Sequence, residues 1–226
     1  MTCFLEVRAG HRLALPATAL TMVTLLGCAD AHVVPLGEFE APTCSDGRWD
    51  VAAALAPGLG ADFVAVHAVI YDSGDGVMSQ RGTRCLGVAD AAACEQAIDD
   101  ALAGDGPLLV LRRGTVVTVH YEESLVDELG PIDSVDEALL AAVVRGYLPP
   151  RCDESGDGGV LVEGGYQVVV TGDIACRPSG PGSQQRETLY RHRVDVSATG
   201  EVTELSRERD STSYCEDFCS CREVGG

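Results

Sequence analysis

The chain has 226 residues, ten cysteines and a formal net charge of −19, with no lysine and no asparagine anywhere. Without lysine it holds no P-loop, Schiff base or Ser–Lys dyad, and without asparagine no N-glycosylation acceptor. So negative a field argues against nucleic acid and anionic head groups as direct ligands, and leaves solubility as the plain role of the charge.

In chain order, Arg8, His11 and Arg12 come first, ahead of an apolar run from Leu13 to Gly27. The run closes on Leu25-Leu26-Gly27-Cys28, with Asp30 just beyond. A transmembrane helix wants ~20 apolar residues, and this run is shorter and broken by Pro16. A positive flank, a core of signal-peptide length and small residues ahead of a cysteine resemble the lipobox leader of bacterial lipoproteins. The resemblance implies that residues 1–27 are a signal peptide and that Cys28 becomes the lipidated, palmitate-bearing first residue of the mature protein. It also implies a lipid-anchored place in the cell envelope, since two or three acyl chains, at ~0.8 kcal/mol per buried methylene, hold a protein where one would not. In that family an Asp directly after the lipidated Cys favours inner-membrane retention. Ala29 stands there in this chain, which implies the outer membrane, facing the periplasm or the surface.

Residues 28–43, acidic and Pro-containing, are expected to form a tether, and residues 44–226 a disulfide-rich domain with a core of its own. Asp62 to Tyr71 reads as a buried strand ending in the turn-rich stretch Asp72 to Gly76. Ala91, Cys94, Ile98, Ala101 and Leu102 recur at helical spacing, with Asp90 as N-cap and Gly104 past the end. Leu108 to Leu111 and Thr115 to Tyr121 read as strands around a three-residue turn, Arg112-Arg113-Gly114. Ser134 and Glu137 form a capping box, and Val135, Ala138, Leu139, Ala142 and Val143 give the helix that follows an apolar face. Val160 to Glu163 and Tyr166 to Thr171 flank a two-residue turn, Gly164-Gly165. Leu189 to Val196 and Glu201 to Leu205 flank a three-residue one, Ala198-Thr199-Gly200. Hairpins and separate helices in this order predict an α+β fold: a mostly antiparallel sheet built from hairpins, with two amphipathic helices packed on it and disulfides stapling it.

With Cys3 in the leader and Cys28 carrying lipid, eight cysteines remain: Cys44, Cys85, Cys94, Cys152, Cys176, Cys215, Cys219 and Cys221. An even set in an exported chain reads as four disulfides, and Cys215-x3-Cys219-x-Cys221 lacks the usual zinc spacing. Cys85 and Cys94 flank the start of the first expected helix and should pair. A turn at Gly164-Gly165 pairs Glu163 with Tyr166 and, with one bulge, brings Cys152 beside Cys176, so a bond is expected there too. Cys44, Cys215, Cys219 and Cys221 would then join the tether end to the tail.

No Gly-x-Ser-x-Gly elbow, His-Glu-x-x-His or Rossmann glycine pattern is present. The histidines past the leader are His32, His67, His120 and His192. His120, followed by Glu122 and Glu123, suggests a base and its partner at a strand end, whereas His67, alternating with Ala65 and Val69, reads as a half-buried side chain. Asp153-Glu154-Ser155-Gly156-Asp157-Gly158 matches the first half of an EF-hand loop. Gly164 stands where the twelfth-position Glu is required, so the stretch reads as a solvated turn and no metal is expected. The expected function is a non-catalytic binding or structural role in the envelope, without a cofactor. The expected contacts are the membrane, through the lipid, and an envelope protein or small molecule, but no nucleic acid. The alternative is an exported hydrolase using His120 with nearby carboxylates. A pocket in which a histidine and a carboxylate meet at hydrogen-bond distance would mark the alternative, and dispersed histidines would favour the first reading.

Overall fold

The computed structural model describes residues 39–67, 77–104, 106–152, 157–178 and 185–215. The leader with Cys28, His32, the Asp72 to Gly76 turn, Asp153 to Gly156, Cys219 and Cys221 lie outside them. The elements run β1 (Cys44–Ser45), β2 (Arg48–Trp49), α1 (Val51–Leu59), β3 (Phe63–His67), β4 (Val77–Gly82), α2 (Ala91–Leu102), β5 (Leu108–Arg113) and β6 (Val116–Tyr121). There follow α3 (Glu122–Leu129), α4 (Val135–Val144), β7 (Gly158–Val162), β8 (Gly165–Pro178), β9 (Gln185–Ser197) and β10 (Val202–Cys215). The chain is thus α+β, with antiparallel pairing throughout. The small four-stranded sheet has the order β4-β3-β5-β6, the large one, with the longer strands, β10-β9-β8-β7, and β1-β2 is a two-stranded ribbon. Among the described residues no helix is long and apolar enough to cross a membrane.

Both expected helices are present with their caps. The Asp90 carboxylate accepts from Ala93 N–H at 3.0 Å, and Ser134 Oγ accepts from Glu137 N–H at 3.3 Å while the Glu137 carboxylate accepts from Ser134 N–H at 3.1 Å. Two further helices are present: α3 has a local cap, Ser124 Oγ accepting from Tyr121 N–H at 2.9 Å, and α1 has no side-chain cap of its own. The Asp50 side chain makes no cap for α1; instead Ser79 Oγ on β4 accepts from Ala52 N–H at 2.7 Å. Helix α3 starts without a connecting loop from β6, through Glu122 in the left-handed region at φ +45°.

Strand parity divides the core. Val64, Val66, Leu109 and Leu111 join α1, α3, α4 and the inner face of the large sheet, Val168, Val170, Val194 and Val196, in one cluster. Phe63, Ala65, Leu108 and Val110 point the other way, onto Ile98 and Ala101 of α2. The layers are therefore α2, small sheet, helices, large sheet. Strands β3 and β5 are covered on both faces, which is why they read as unbroken apolar runs. Helix α4 lies between two sheets, so Ala138 to Val143 are all buried and not only one face.

The turns correct two expectations. Arg112 and Arg113 belong to β5, and the connection is the two-residue Gly114-Thr115. Arg112 is buried at the sheet end, donating to the Asp62 carboxylate at 3.1 Å, Gly114 O at 2.6 Å and Thr83 O at 2.8 Å, a set of partners a solvated turn residue would lack. In the next hairpin Val162 faces Gly165, so the turn is Glu163-Gly164 and not Gly164-Gly165. Gly165 is held in the ladder opposite Ser197 of β9, where only glycine fits because a Cβ would collide with the Val196 carbonyl oxygen. The third turn, Ala198-Thr199-Gly200, is as expected, closed by Ser197 N–H on Glu201 O at 2.9 Å.

Cys85 bonds Cys94, as expected. Cys152 bonds Cys44, not Cys176. The expected bond required β7 to continue back to Cys152, but β7 begins at Gly158, and Arg151 N–H turns onto the Asp157 carboxylate at 2.9 Å. On the other edge of β7, Glu40 forms an antiparallel bridge with Gly159, and the N-terminal segment runs on from there to bring Cys44 within 5.9 Å (Cα–Cα) of Cys152. Glu40 to Thr43, expected in the tether, are therefore part of the fold. Cys176 lies in register with Glu187 and Cys215 with Gln185, on strands either side of β9. Two strand spacings of ~4.8 Å hold those backbones beyond the ~7 Å that a bridge spans.

Candidate functional site

His120 is the last residue but one of β6, and the helix that follows decides which carboxylate it meets. Glu122 and Glu123 open α3 and are exposed, with Glu123 3.5 Å from Arg145. The carboxylate brought to His120 is Glu128, at the other end of α3, 3.6 Å from Nε2; Thr118 Oγ1 stands 3.3 Å from the same nitrogen. Glu128 also accepts from Arg113 at 2.7 Å, and Arg113 donates to Leu59 O at 2.9 Å, closing the C-terminus of α1. At 3.6 Å the His120–Glu128 contact is longer than a hydrogen bond. The group ties four elements together, β6, α3, β5 and α1, and the expected pairing of His120 with Glu122 or Glu123 is replaced by one with Glu128.

His192 and His67 are buried. His192 Nδ1 meets the Glu204 carboxylate at 2.9 Å across β9 and β10, and its ring stands edge-on to Tyr147 at 5.1 Å. Gly172 on β8 leaves room for that ring, since a Cβ there would crowd both His192 and Tyr147. His67 closes β3 between Leu108 and Val77, and its Nδ1 has no hydrogen-bond partner among the described residues. The three histidines are dispersed over separate elements.

A shallow depression of about 240 Å³ lies where the β7–β8 and β9–β10 turns meet, lined by Glu163, Tyr166, Asp195, Ser197, Glu201 and Thr203 among others. No histidine lines it. Ser197 Oγ is engaged by the Thr199 and Glu201 N–H groups of its own turn. Tyr166 donates to Asp133 O at 2.6 Å, and burial, aided by the charges of Asp133, Glu40 and Glu137, raises its pKa, so the phenol keeps its proton. The depression is an acidic surface without a nucleophile–base pair.

Behind it, burial raises the Glu137 pKa above 4.5, although Ser134 and Asp133 N–H groups favour the anion. A carboxyl that titrates higher in the folded state binds more protons there, so its contribution is complete below pH 4.5 and fades as pH rises through the folded value. Glu137→Gln keeps an oxygen to accept both N–H bonds. Measured by urea unfolding, the wild type should lose stability relative to this variant as pH rises above 4.5, and a constant gap would show that burial does not control Glu137.

Asp136 is a buried carboxylate that sequence reasoning missed. From the first turn of α4 it accepts from Trp49 Nε1 at 2.6 Å, Thr43 Oγ1 at 2.7 Å and Thr43 N at 3.1 Å. The signal available in the sequence was only an acidic residue in a helix first turn, and its partners lie more than eighty residues upstream. In the EF-hand-like stretch, Asp157 is buried against Arg151, and Gly158 is required because a Cβ would collide with the Glu40 carbonyl oxygen. Both residues are thus explained by strand packing, and among the described residues no three His, Cys, Asp or Glu side chains are grouped to hold a metal. No protein-family model matches the chain, and comparison with curated proteins and with solved structures finds no match.

Proposed function

We propose that this chain is an exported lipoprotein, anchored through Cys28, whose α+β domain binds or supports an envelope component without catalysis. The observation that carries the reading is the Cys44–Cys152 bond. Disulfides persist in oxidising compartments, and this one clamps the domain where the segment from the leader enters it, so a pull on the anchor would be borne by a covalent link. The ten residues between Cys28 and Phe39 reach at most about 40 Å, which keeps the domain close to the bilayer. The outer membrane, with the domain facing the periplasm or surface, is the location this reading assigns. Its partner is an envelope protein or a small molecule, and nucleic acid is disfavoured by the charge. A hydrolase acting through His120 would rest on the Glu128 contact, and that carboxylate is already held by Arg113.

Labelling cells with a fatty-acid analogue tests the anchor. The wild type should carry the label and sediment with membranes, and Cys28→Ser should lose both properties. A mature wild type that is unlabelled and soluble would overturn the reading.

A further inference from the structure

We propose that residues 33–38 lie as a strap across the outer face of the large sheet, over β8. This face is the one turned away from α4. Helices α1, α3 and α4 pack into the cluster on the inner face, and α2 packs beyond the small sheet, so among the described residues no helix covers the outer one. An antiparallel sheet with one uncovered face alternates buried apolar residues with wet polar ones. Strand β8 does not. Gln167, Val169 and Thr171, which alternate with the inward Val168 and Val170, are only 2, 1 and 2% exposed. Val169 belongs to neither apolar cluster, so its burial is owed to something on the outer side.

Position and composition identify the occupant. The antiparallel bridge between Glu40 and Gly159 sets Phe39 across from Val160, and Val160 shares a side with Gln167, so Phe39 falls on the outer face. Its ring centroid lies 5.5 Å from the guanidinium of Arg193, the β9 residue paired with Val169. At Phe39 the chain has thus left the β7 edge for the outer surface, whereas at Thr43 it has rounded that edge to reach Asp136 of α4. Directly before Phe39 and its two neighbours stand Val33-Val34-Pro35-Leu36, apolar side chains that a linker in water has no use for. Pro35 lacks an N–H, so the segment is suited to packing by side chains and not to adding a strand. Six extended residues span about 20 Å. Two strand spacings of ~4.8 Å separate β7 from β9, so that length suffices to cover Val169. On the lipid-anchor reading given above, residues 29–32 alone then separate Cys28 from the strap. They reach about 18 Å, which makes the strapped face of the large sheet the one held towards the bilayer.

Methyl–methyl NOEs and amide exchange, measured on the full chain in detergent micelles, test the strap. The Val169 methyls should show contacts to Val34 or Leu36 methyls, in the wild type and in Cys28→Ser alike. Failure of the fatty-acid label would therefore sink the anchor and leave the strap standing. Leu36→Asp should abolish those contacts. It should also speed exchange of the Glu40 amide, which is bonded to Gly159 O, at least about tenfold. Val169 contacts confined to Phe39, Arg193 and other residues of the sheet would overturn the proposal, as would Glu40 exchange that Leu36→Asp leaves unchanged. Contacts from residues 216–226 would overturn it in favour of the C-terminal tail, and contacts that grow with protein concentration in favour of a second copy.

Discussion

Replacing both Cys44 and Cys152 with alanine should lower the unfolding free energy by about 3–5 kcal/mol. The bond closes a loop with a sequence separation of 108, and on the chain-entropy account a loop of this size contributes ~4.7 kcal/mol. Cys85–Cys94, with a separation of only 9, constrains the unfolded chain less, so its removal should cost about 1–2 kcal/mol less than that of the long bond. Urea unfolding of the two double variants side by side gives the comparison. If the short bond proves the more stabilising, loop entropy is not what the long one contributes. The reciprocal marker is the bridge between Glu40 and Gly159. Its amides should exchange faster once Cys44 is released, because the segment they hold then keeps only non-covalent ties, among them those to Asp136, Asp50 and β7.

Asp136→Ala should destabilise the domain by about 3–4 kcal/mol, more than the loss of one ordinary hydrogen bond. The carboxylate satisfies an indole N–H, a hydroxyl and a backbone N–H in a largely buried space, and deleting it strands the two N–H donors, which cannot rotate away as the hydroxyl can. Leaving a buried donor unpaired costs about 1–3 kcal/mol, and bonds to a charged acceptor exceed neutral ones. Asp136→Asn keeps one acceptor oxygen and should cost less, about 1–2 kcal/mol. Trp49 is the single tryptophan of the chain, so its fluorescence reports on this contact directly. The alanine variant should show an altered native-state emission before any unfolding. A cost below about 1 kcal/mol, with the emission unchanged, would mean that Thr43 and Trp49 find water in place of the carboxylate.

What could be read from the sequence was whatever depends on residues close together in it. The caps at Asp90 and Ser134, the Ala198-Thr199-Gly200 turn and the Cys85–Cys94 bond are each decided within ten residues, and all are found. The antiparallel α+β class follows from such pieces in order. His120 shows where this stops: its neighbours in sequence, Glu122 and Glu123, point away once α3 begins, and the helix returns Glu128 instead. Helix α1 was illegible because its cap, Ser79, stands on a strand that follows in the chain. The hairpin register at Gly165 was settled by contact with β9, which cannot be seen from the turn itself. Likewise Cys44 and Asp136 act on partners 108 and 93 residues away. Local pairs are chosen by backbone geometry over one turn, so the sequence by itself determines them. Partners brought together by the stacking of two sheets around α4 are chosen by which surfaces exclude water together, and only the tertiary structure decides those.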